Sequence, residues 1–241
     1  MRVFGVFRFL AVAGALIAAF SIASGVSYGS ITVSGSVGGA ATGVNYANFD
    51  NLGLGSGGGT SGGISVSFTP DGQVVNGSSS GAYAAPYLSG SNGVNFGNNP
   101  VDIPGVDKTN YITTGVGTAT LTFSGLQQYM GILWGSIDNY NKLEFFNGAT
   151  SVGVVTGTDV VASPNGNQGV NGTLYVNINS TLAFDSVVAS STQYAFEFDN
   201  VAYSASPQSA GGVPEPASLA IWGLGALGCA FAAYRRKKQV A

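Results

Sequence analysis

Alternation of apolar and polar residues with a period of two is the feature that most constrains this fold. It recurs in short runs at 64–68, 119–123, 174–178 and 194–198. Successive side chains of a strand point to opposite faces, so this spacing predicts strands with one buried face. The chain has 38 glycines in 241 residues, which suits tight turns between short strands. We therefore predict an all-β domain, an antiparallel β-sandwich over residues 30–204.

Two places interrupt this pattern. Phe196 and Phe198 alternate with acidic residues, but the next apolar residues are Val201 and Tyr203, one position out of phase. A shift by one residue predicts a β-bulge. The second place is the glycine-rich stretch at 53–63, which we predict to be a loop.

Charge and composition exclude several classes of function. The chain has no histidine and a single cysteine, Cys229, so His-based catalysis, zinc–thiolate sites and an intrachain disulfide are excluded. Ten of the eleven acidic residues lie within 50–199, where only Lys108 and Lys142 are basic. Nucleic-acid binding requires Lys and Arg to neutralise phosphates, so we expect no nucleic-acid partner.

The N-terminal residues have the organisation of a secretory signal peptide. Arg2 and Arg8 form a basic region, an apolar run follows at 9–20, and small residues occupy 21–25. The sequence therefore predicts a signal peptide at 1–25, which would bring the chain to the secretion translocon and to signal peptidase.

The C-terminal residues predict a membrane helix with a fixed orientation. Residues 217–234 are uncharged and in a helix would span roughly 27 Å, close to the thickness of a bilayer core. Four basic residues follow: Arg235, Arg236, Lys237 and Lys238. Positive residues beside a span stay in the cytoplasm, so the preceding domain is predicted to lie outside the inner membrane.

A short motif precedes the predicted helix and completes a sorting signal. The motif consists of Val213, Pro214, Glu215 and Pro216, and a small polar segment at 205–212 before it predicts a flexible linker. The order of motif, apolar helix and basic tail over 213–241 resembles the PEP-CTERM class of bacterial sorting signals. The resemblance implies recognition and cleavage by an exosortase, a transient inner-membrane anchor, and delivery to the cell surface or extracellular matrix.

A second resemblance lies within the domain, at 129–141, 143–148 and 196–203. These segments are similar to a family of exosortase-dependent surface proteins that share a Trp-Gly-Ser-x-Asp-x-Tyr-Asn core and a closing Phe-Asp-Asn strand. The resemblance implies a β-sandwich of the jelly-roll type and carries no enzymatic activity with it.

Oxygen-bearing side chains suggest a calcium site. Asp138, Asn139, Asp199 and Asn200 carry the ligand type that Ca²⁺ prefers, and no other cofactor is predicted. The alternative is that these residues serve turns and strand ends, because Asp and Asn bond locally to the backbone.

Aromatic residues and paired carboxylates suggest two kinds of carbohydrate site. Trp134 and Tyr140, with Tyr129 and Phe145, would form a sugar-stacking face, unless they belong to the core. Glycoside hydrolysis needs two carboxylates at a suitable separation, unless the acids are ordinary surface charges. The candidate acids are Asp138, Glu144, Glu197 and Asp199.

These observations favour an exported surface protein with a structural or adhesive role, associated with extracellular polysaccharide and without enzymatic activity. A carbohydrate-binding module is the alternative from a different class. A glycoside-active enzyme is the third hypothesis.

Overall fold

The computed structural model of the chain describes residues 30–36, 39–90 and 92–209. The predicted signal peptide at 1–25, the predicted membrane helix at 217–234 and the sorting motif with its basic tail lie outside these residues. In the described ranges, no helix is long and apolar enough to cross a bilayer.

Antiparallel strands make up most of the described residues. In chain order they are β1 (Ile31–Ser36), β2 (Asn45–Ala47), β3 (Gly59–Ser61), β4 (Ile64–Phe68), β5 (Gly72–Asn76), β6 (Tyr87–Leu88), β7 (Gly105–Val106), β8 (Asn110–Thr114), β9 (Thr118–Gly135), β10 (Asn141–Asn147), β11 (Thr150–Thr156), β12 (Leu174–Ser191) and β13 (Phe196–Ser204). The helical elements are a 3₁₀ turn at Phe96–Asn98 and α1 (Gly157–Val160).

Two long strands, β9 and β12, build both layers of the fold. They pair with each other near both ends, with register shifts between Asn179 and Ser186. The first half of β9 pairs with β4, and its second half pairs with β13. The second half of β12 pairs with β10, and its first half pairs with β1. Each long strand therefore passes from one layer to the other.

The resulting layers can be named by their strand order. The first sheet runs β11-β10-β12-β9-β4-β3, and the second runs β1-β12-β9-β13-β8-β5, with β2 also paired to β13. The core fills the space between them, as in other sandwiches. The predicted antiparallel β-sandwich is confirmed.

The core is built from the residues whose alternation predicts the strands. On β9, Leu121 and Phe123 alternate with Thr120 and Thr122, and the first two are buried. Ring contacts join the two sheets: Phe123, in the half of β9 that pairs with β4, lies 5.1 Å from the Tyr203 ring of β13. Because a strand turns successive residues to opposite faces, apolar residues two apart enter one core.

The predicted bulge is present in β13. Asp199 pairs with Leu133 and Ala202 pairs with Gly131, so three steps on β13 match two steps on β9. Asn200 is the extra residue, and its φ of 54° lies in the left-handed region that Asn tolerates. The bulge keeps both halves of β13 in contact with the main core despite the change of phase.

The glycine-rich stretch at 53–63 is not entirely a loop, contrary to the prediction. Its last part forms β3, which pairs with β4, and Gly55 forms a bridge with Val74. A Cβ at Gly62 (φ 51°) would lie 2.0 Å from the Tyr46 carbonyl oxygen. Glycine is needed there because the backbones approach so closely.

The second sheet is covered on its outer face as well. Tyr129, Leu133 and Tyr175 alternate with main-core residues and pack on that face with Leu88 and Phe96 from the long connections. The second sheet is thus buried on both sides. Side chains that a two-layer sandwich would expose to water are enclosed here.

Candidate functional site

Strand β13 places two acidic side chains on the covered outer face of the second sheet. Glu197 and Asp199 alternate with Phe196 and Phe198, which enter the main core. Glu197 is 2% exposed and Asp199 is 0% exposed. Buried carboxylates are rare unless they are paired or bound to a metal, so their surroundings decide what the site can do.

Glu197 has one satisfied and one unsatisfied oxygen. Its Oε1 accepts a hydrogen bond of 2.8 Å from the Ala84 backbone N–H, whereas its Oε2 has no hydrogen-bond partner. Burial raises the pKa of Glu197 to about 7, the Ala84 N–H and the Ser136 hydroxyl oppose this rise, and the Asp138 charge adds to it. The carboxyl therefore titrates near neutral pH.

Asp138 belongs to the same group as Glu197. Burial raises the pKa of Asp138, and a hydrogen bond from the Tyr140 hydroxyl partly offsets this rise. Gly166 lies against the carboxylate, since a Cβ there would be 2.8 Å from its oxygens. The neighbouring Asn139 is exposed.

A polar cleft of about 380 Å³ opens beside Glu197. Its walls carry hydroxyl, amide and carboxyl groups and two tyrosine rings. The lining residues are Ser78, Ser79, Ser80, Gly81, Ala82, Tyr83, Gln168, Tyr194, Ala195 and Glu197. The Tyr194 side chain is 52% exposed, and Gly115 makes room for its ring. The cleft can offer both hydrogen bonds and an aromatic face to a ligand.

The predicted sugar-stacking residues fall mostly inside the protein. The Trp134 indole is 0% exposed and stacks on Phe196, with a centroid distance of 4.5 Å. Tyr129 and Phe145 are also fully buried. Of the four predicted residues, only Tyr140 retains exposed surface, and it lies beside Tyr194 with its hydroxyl 3.4 Å from that residue's carbonyl oxygen.

A second acidic group surrounds Asp199. Asp199 contacts the Asp107 carboxyl and is repelled by the charge of Asp50. Asp102 is repelled by the charges of both Asp107 and Asp50. Burial raises the pKa of Asp199 well above its usual value, and the Asp107 charge raises it further. Burial likewise raises the pKa of Asp102 to about 7. We call Asp50, Asp102, Asp107 and Asp199 the acid cluster.

The structure thus divides the residues that sequence reasoning combined. Asp138 lies with Glu197 and Tyr140, whereas Asp199 lies with the acid cluster. Asn200 is fully buried beside Asp199. Glu144 is in neither group: it forms an ion pair of 3.0 Å with Lys142 on β10, which lowers its pKa.

Sequence reasoning missed three members of the acid cluster and two rings of the cleft. Asp102 and Asp107 lie in the connection 95–110, where Asn and Asp are frequent and Lys108 is the one basic residue. That density of oxygen-bearing side chains was a usable signal. Tyr83 and Tyr194 had no comparable signal, because only tertiary contacts bring them together.

The acidic side chains of the described residues do not by themselves form a complete metal site. No group of three or more His, Cys, Asp or Glu side chains among residues 30–36, 39–90 and 92–209 is arranged to hold a metal ion. A cation site in these residues would need amide or backbone oxygens to complete its ligands.

Comparison with known proteins identifies the C-terminal segment. The family model for the PEP-CTERM protein-sorting motif matches residues 212–237. The chain carries a PEP-CTERM sorting motif. The match includes Val213, Pro214, Glu215 and Pro216, and the first three residues of the basic tail. No curated protein matches the chain.

The PEP-CTERM motif indicates how the chain is exported, processed and sorted. It marks an exported protein that passes through the membrane, is processed by an exosortase and is sorted to the surface. The match does not reach the Trp-Gly-Ser-x-Asp-x-Tyr-Asn segment, so the resemblance of that segment to surface-protein families stays a prediction.

Proposed function

We propose that this PEP-CTERM protein is a structural or adhesive component of the extracellular matrix, that it contacts exopolysaccharide, and that it is not an enzyme. The observation that carries the proposal is the combination of a sorting motif at 212–237 with a polar, tyrosine-flanked cleft in the preceding domain. A protein sorted to the surface is exposed to extracellular polymer, and the cleft is one concave polar surface that its domain presents.

The chemistry of the cleft suits a carbohydrate. Sugar rings stack their apolar faces on aromatic side chains, and their hydroxyls bond to Ser, Gln and carboxyl groups. Tyr194 and Tyr83 supply the rings, and Gln168 with the three serines at 78–80 supplies donors and acceptors. The cleft is lined by three separate segments of the chain, at 78–83, 168 and 194–197, which suits contact with a polymer chain.

Cosedimentation with purified exopolysaccharide of the source bacterium tests this role. We expect the purified full-length protein to sediment with the polymer, and Tyr194→Ala and Gln168→Ala each to reduce the bound fraction several-fold. Val154→Ala removes a comparably exposed side chain from β11 in the other sheet and should bind as the unaltered protein does. Equal binding by all four proteins would refute a role for the cleft.

A carbohydrate-binding module is the second candidate, favoured by the defined volume of the cleft. A module selects a particular glycan, whereas an adhesive component binds the polymer with little selectivity. Competition with a panel of oligosaccharides separates the two. Inhibition by one compound alone would favour the module, and uniform weak inhibition would favour the matrix role.

The proposed absence of catalysis also has a direct test. Glu197 and Asp138 are neighbouring carboxyls, and one of them titrates near neutral pH, which is a feature of some glycosidase acid pairs. We expect no release of reducing sugars from the exopolysaccharide. Release that disappears in Glu197→Gln, with the fold intact by circular dichroism, would overturn this part of the proposal.

A further inference from the structure

The acid cluster leaves an unusual number of buried oxygens without partners. Both oxygens of Asp102, both oxygens of Asp199 and Oδ2 of Asp107 have no hydrogen-bond partner. The amide of Asn200, which is 0% exposed, has no partner at either atom. Native proteins satisfy almost all buried polar groups, so this concentration at one place indicates a missing partner.

The acidic side chains of the cluster lie close to one another: Asp199 interacts with Asp107 and Asp50, and Asp102 interacts with the same two residues. The carboxyls of Asp199 and Asp107 are close enough to share a proton, and the Asn200 backbone N–H lies nearby without meeting either Asp199 oxygen in hydrogen-bond geometry. Asp107 is itself held in place, because its Oδ1 accepts bonds from the Thr109 N–H and hydroxyl at 2.8 and 2.6 Å. Its free Oδ2 is left beside Asp199.

Asp50 is fixed next to this pair by amide donors. Its carboxylate accepts hydrogen bonds from the side chains of Asn48 and Asn99, at 2.6 and 3.1 Å, and from the Asn110 backbone N–H at 3.3 Å. Burial raises the pKa of Asp50, and these hydrogen bonds offset part of that rise, while the neighbouring Asp107 charge adds to it.

No basic residue forms an ion pair with the acid cluster within the described part of the chain. Lys142 is paired with Glu144 on β10, in the first sheet, and the exposed Lys108 forms no ion pair there. Like charges buried together cannot all remain ionised without a counter-charge. The counter-charge must be either protons or a cation.

A shared proton explains only part of the arrangement. One proton between Asp107 and Asp199 would satisfy that pair but would leave the Asn200 amide oxygen unpartnered. A metal ion instead accepts many oxygens at once and carries the charge that the cluster lacks.

We propose that Asp107 and Asp199 bind one calcium-type divalent cation, with the Asn200 region completing the ligands and Asp50 and Asp102 adding negative charge around it. A ligand set of two carboxylates and neutral oxygens is consistent with the finding that no three acids of the described residues are arranged to hold a metal ion. The oxygens have almost no exposed surface, which disfavours Mg²⁺, because Mg²⁺ retains several waters. This inference is independent of the proposed contact with carbohydrate.

The proposed site is different from the one that the sequence suggested. It uses Asp199 and Asn200 but replaces Asp138 with Asp107, because Asp138 lies in the Glu197 group. It is a stabilising site, since the ion would bind residues from the connection 95–110 to β13 and so hold the covering layer on the second sheet.

Thermal unfolding of the purified full-length protein, with calcium chloride or EGTA, is the first measurement. Extracellular calcium sites typically bind with dissociation constants of up to about 1 mM. At about 1 mM Ca²⁺ we therefore expect the Tm to rise by several degrees over its value in EGTA. Mg²⁺ at the same concentration should give a smaller rise. Elemental analysis after gel filtration in a buffer with about 1 mM Ca²⁺ should find about one calcium per chain above the buffer concentration. No calcium retained and no Tm change would overturn the proposal and leave protons as the counter-charge.

Three variants locate the ion. Asp199→Asn and Asp107→Asn should each lose most of the calcium-dependent rise in Tm, while in EGTA they melt at or above the unaltered protein, because a repelling charge is gone. Asp138→Asn is the matched control and should keep the full rise. A rise that survives in Asp199→Asn and Asp107→Asn, or that is lost in Asp138→Asn alone, would refute this location.

Discussion

Replacing Glu197 with glutamine should change how the stability of the domain depends on pH. Burial raises the pKa of Glu197 from 4.5 in the unfolded chain to about 7 in the folded one. The folded state therefore holds this proton more tightly than the unfolded state does. Its contribution is fully present below about pH 4.5 and is lost as the pH rises through about 7.

The magnitude follows from the size of the shift. A difference of about 2.5 pKa units, at 1.36 kcal/mol each, corresponds to about 3 kcal/mol lost between pH 4 and pH 8. Glutamine has the same shape, keeps an acceptor for the Ala84 N–H and does not titrate. The free energy of unfolding of Glu197→Gln minus that of the unaltered protein should therefore rise by about 3 kcal/mol over this range.

Urea unfolding at a series of pH values, with EGTA throughout to remove any cation effect, measures this difference. Glu144→Gln is the matched control: the Lys142 ion pair lowers the pKa of Glu144, so its removal has an effect of the opposite sign, and a small one at that partly exposed site. Parallel stability profiles for Glu197→Gln and the unaltered protein would show that Glu197 does not titrate near neutrality and would refute the reasoning.

Three further outcomes follow from the structure. Trp134→Ala should reduce the free energy of unfolding by about 3–5 kcal/mol in urea titrations, because the indole is fully buried against the main core; a loss below about 1 kcal/mol would contradict its core position. Gly62 and Gly77 both have a positive φ, but only at Gly62 would a Cβ lie against the Tyr46 carbonyl. Gly62→Ala should therefore lower the Tm far more than Gly77→Ala. Equal losses of Tm would show that backbone strain alone matters. Replacing residues 214–216 with alanine should leave the protein in the inner membrane, with its basic tail detectable by mass spectrometry. Surface material of the unaltered protein should lack peptides from residue 221 onward. Normal release of the altered protein would contradict processing at the motif.

Several of the strands could be predicted, because local alternation is enough to identify a strand with one buried face. The runs on β4, β9 and β12 are where the alternation placed them, and the phase shift after Phe198 located the bulge at Asn200. The 53–63 stretch was misassigned in part, since three of its residues are held as β3 by pairing with β4 and not by their own preference.

The pairing of distant residues could not be predicted, and this is why the candidate site changed. Because β9 and β13 are antiparallel, Glu197 pairs with Gly135 and so lies toward the end of β9 that leads to Asp138, whereas Asp199 pairs with Leu133. That register assigns the two acids of one strand to different neighbours. A sequence pattern shows which residues share a strand but not which strand lies beside them.

The sequence by itself determined the class of fold, the bulge and the sorting motif, because each depends on residues that are close along the chain. Only the tertiary structure decided that the polar face of β13 is buried, since connections from 39–46 and 78–109 cover the second sheet. Glu197 and Asp199 would be ordinary surface charges on an uncovered strand. In the folded protein both carboxyls are buried beside other carboxyls, and their pKa values are raised because burial disfavours the ionised form. Their ionised forms are therefore stable only with a counter-charge nearby.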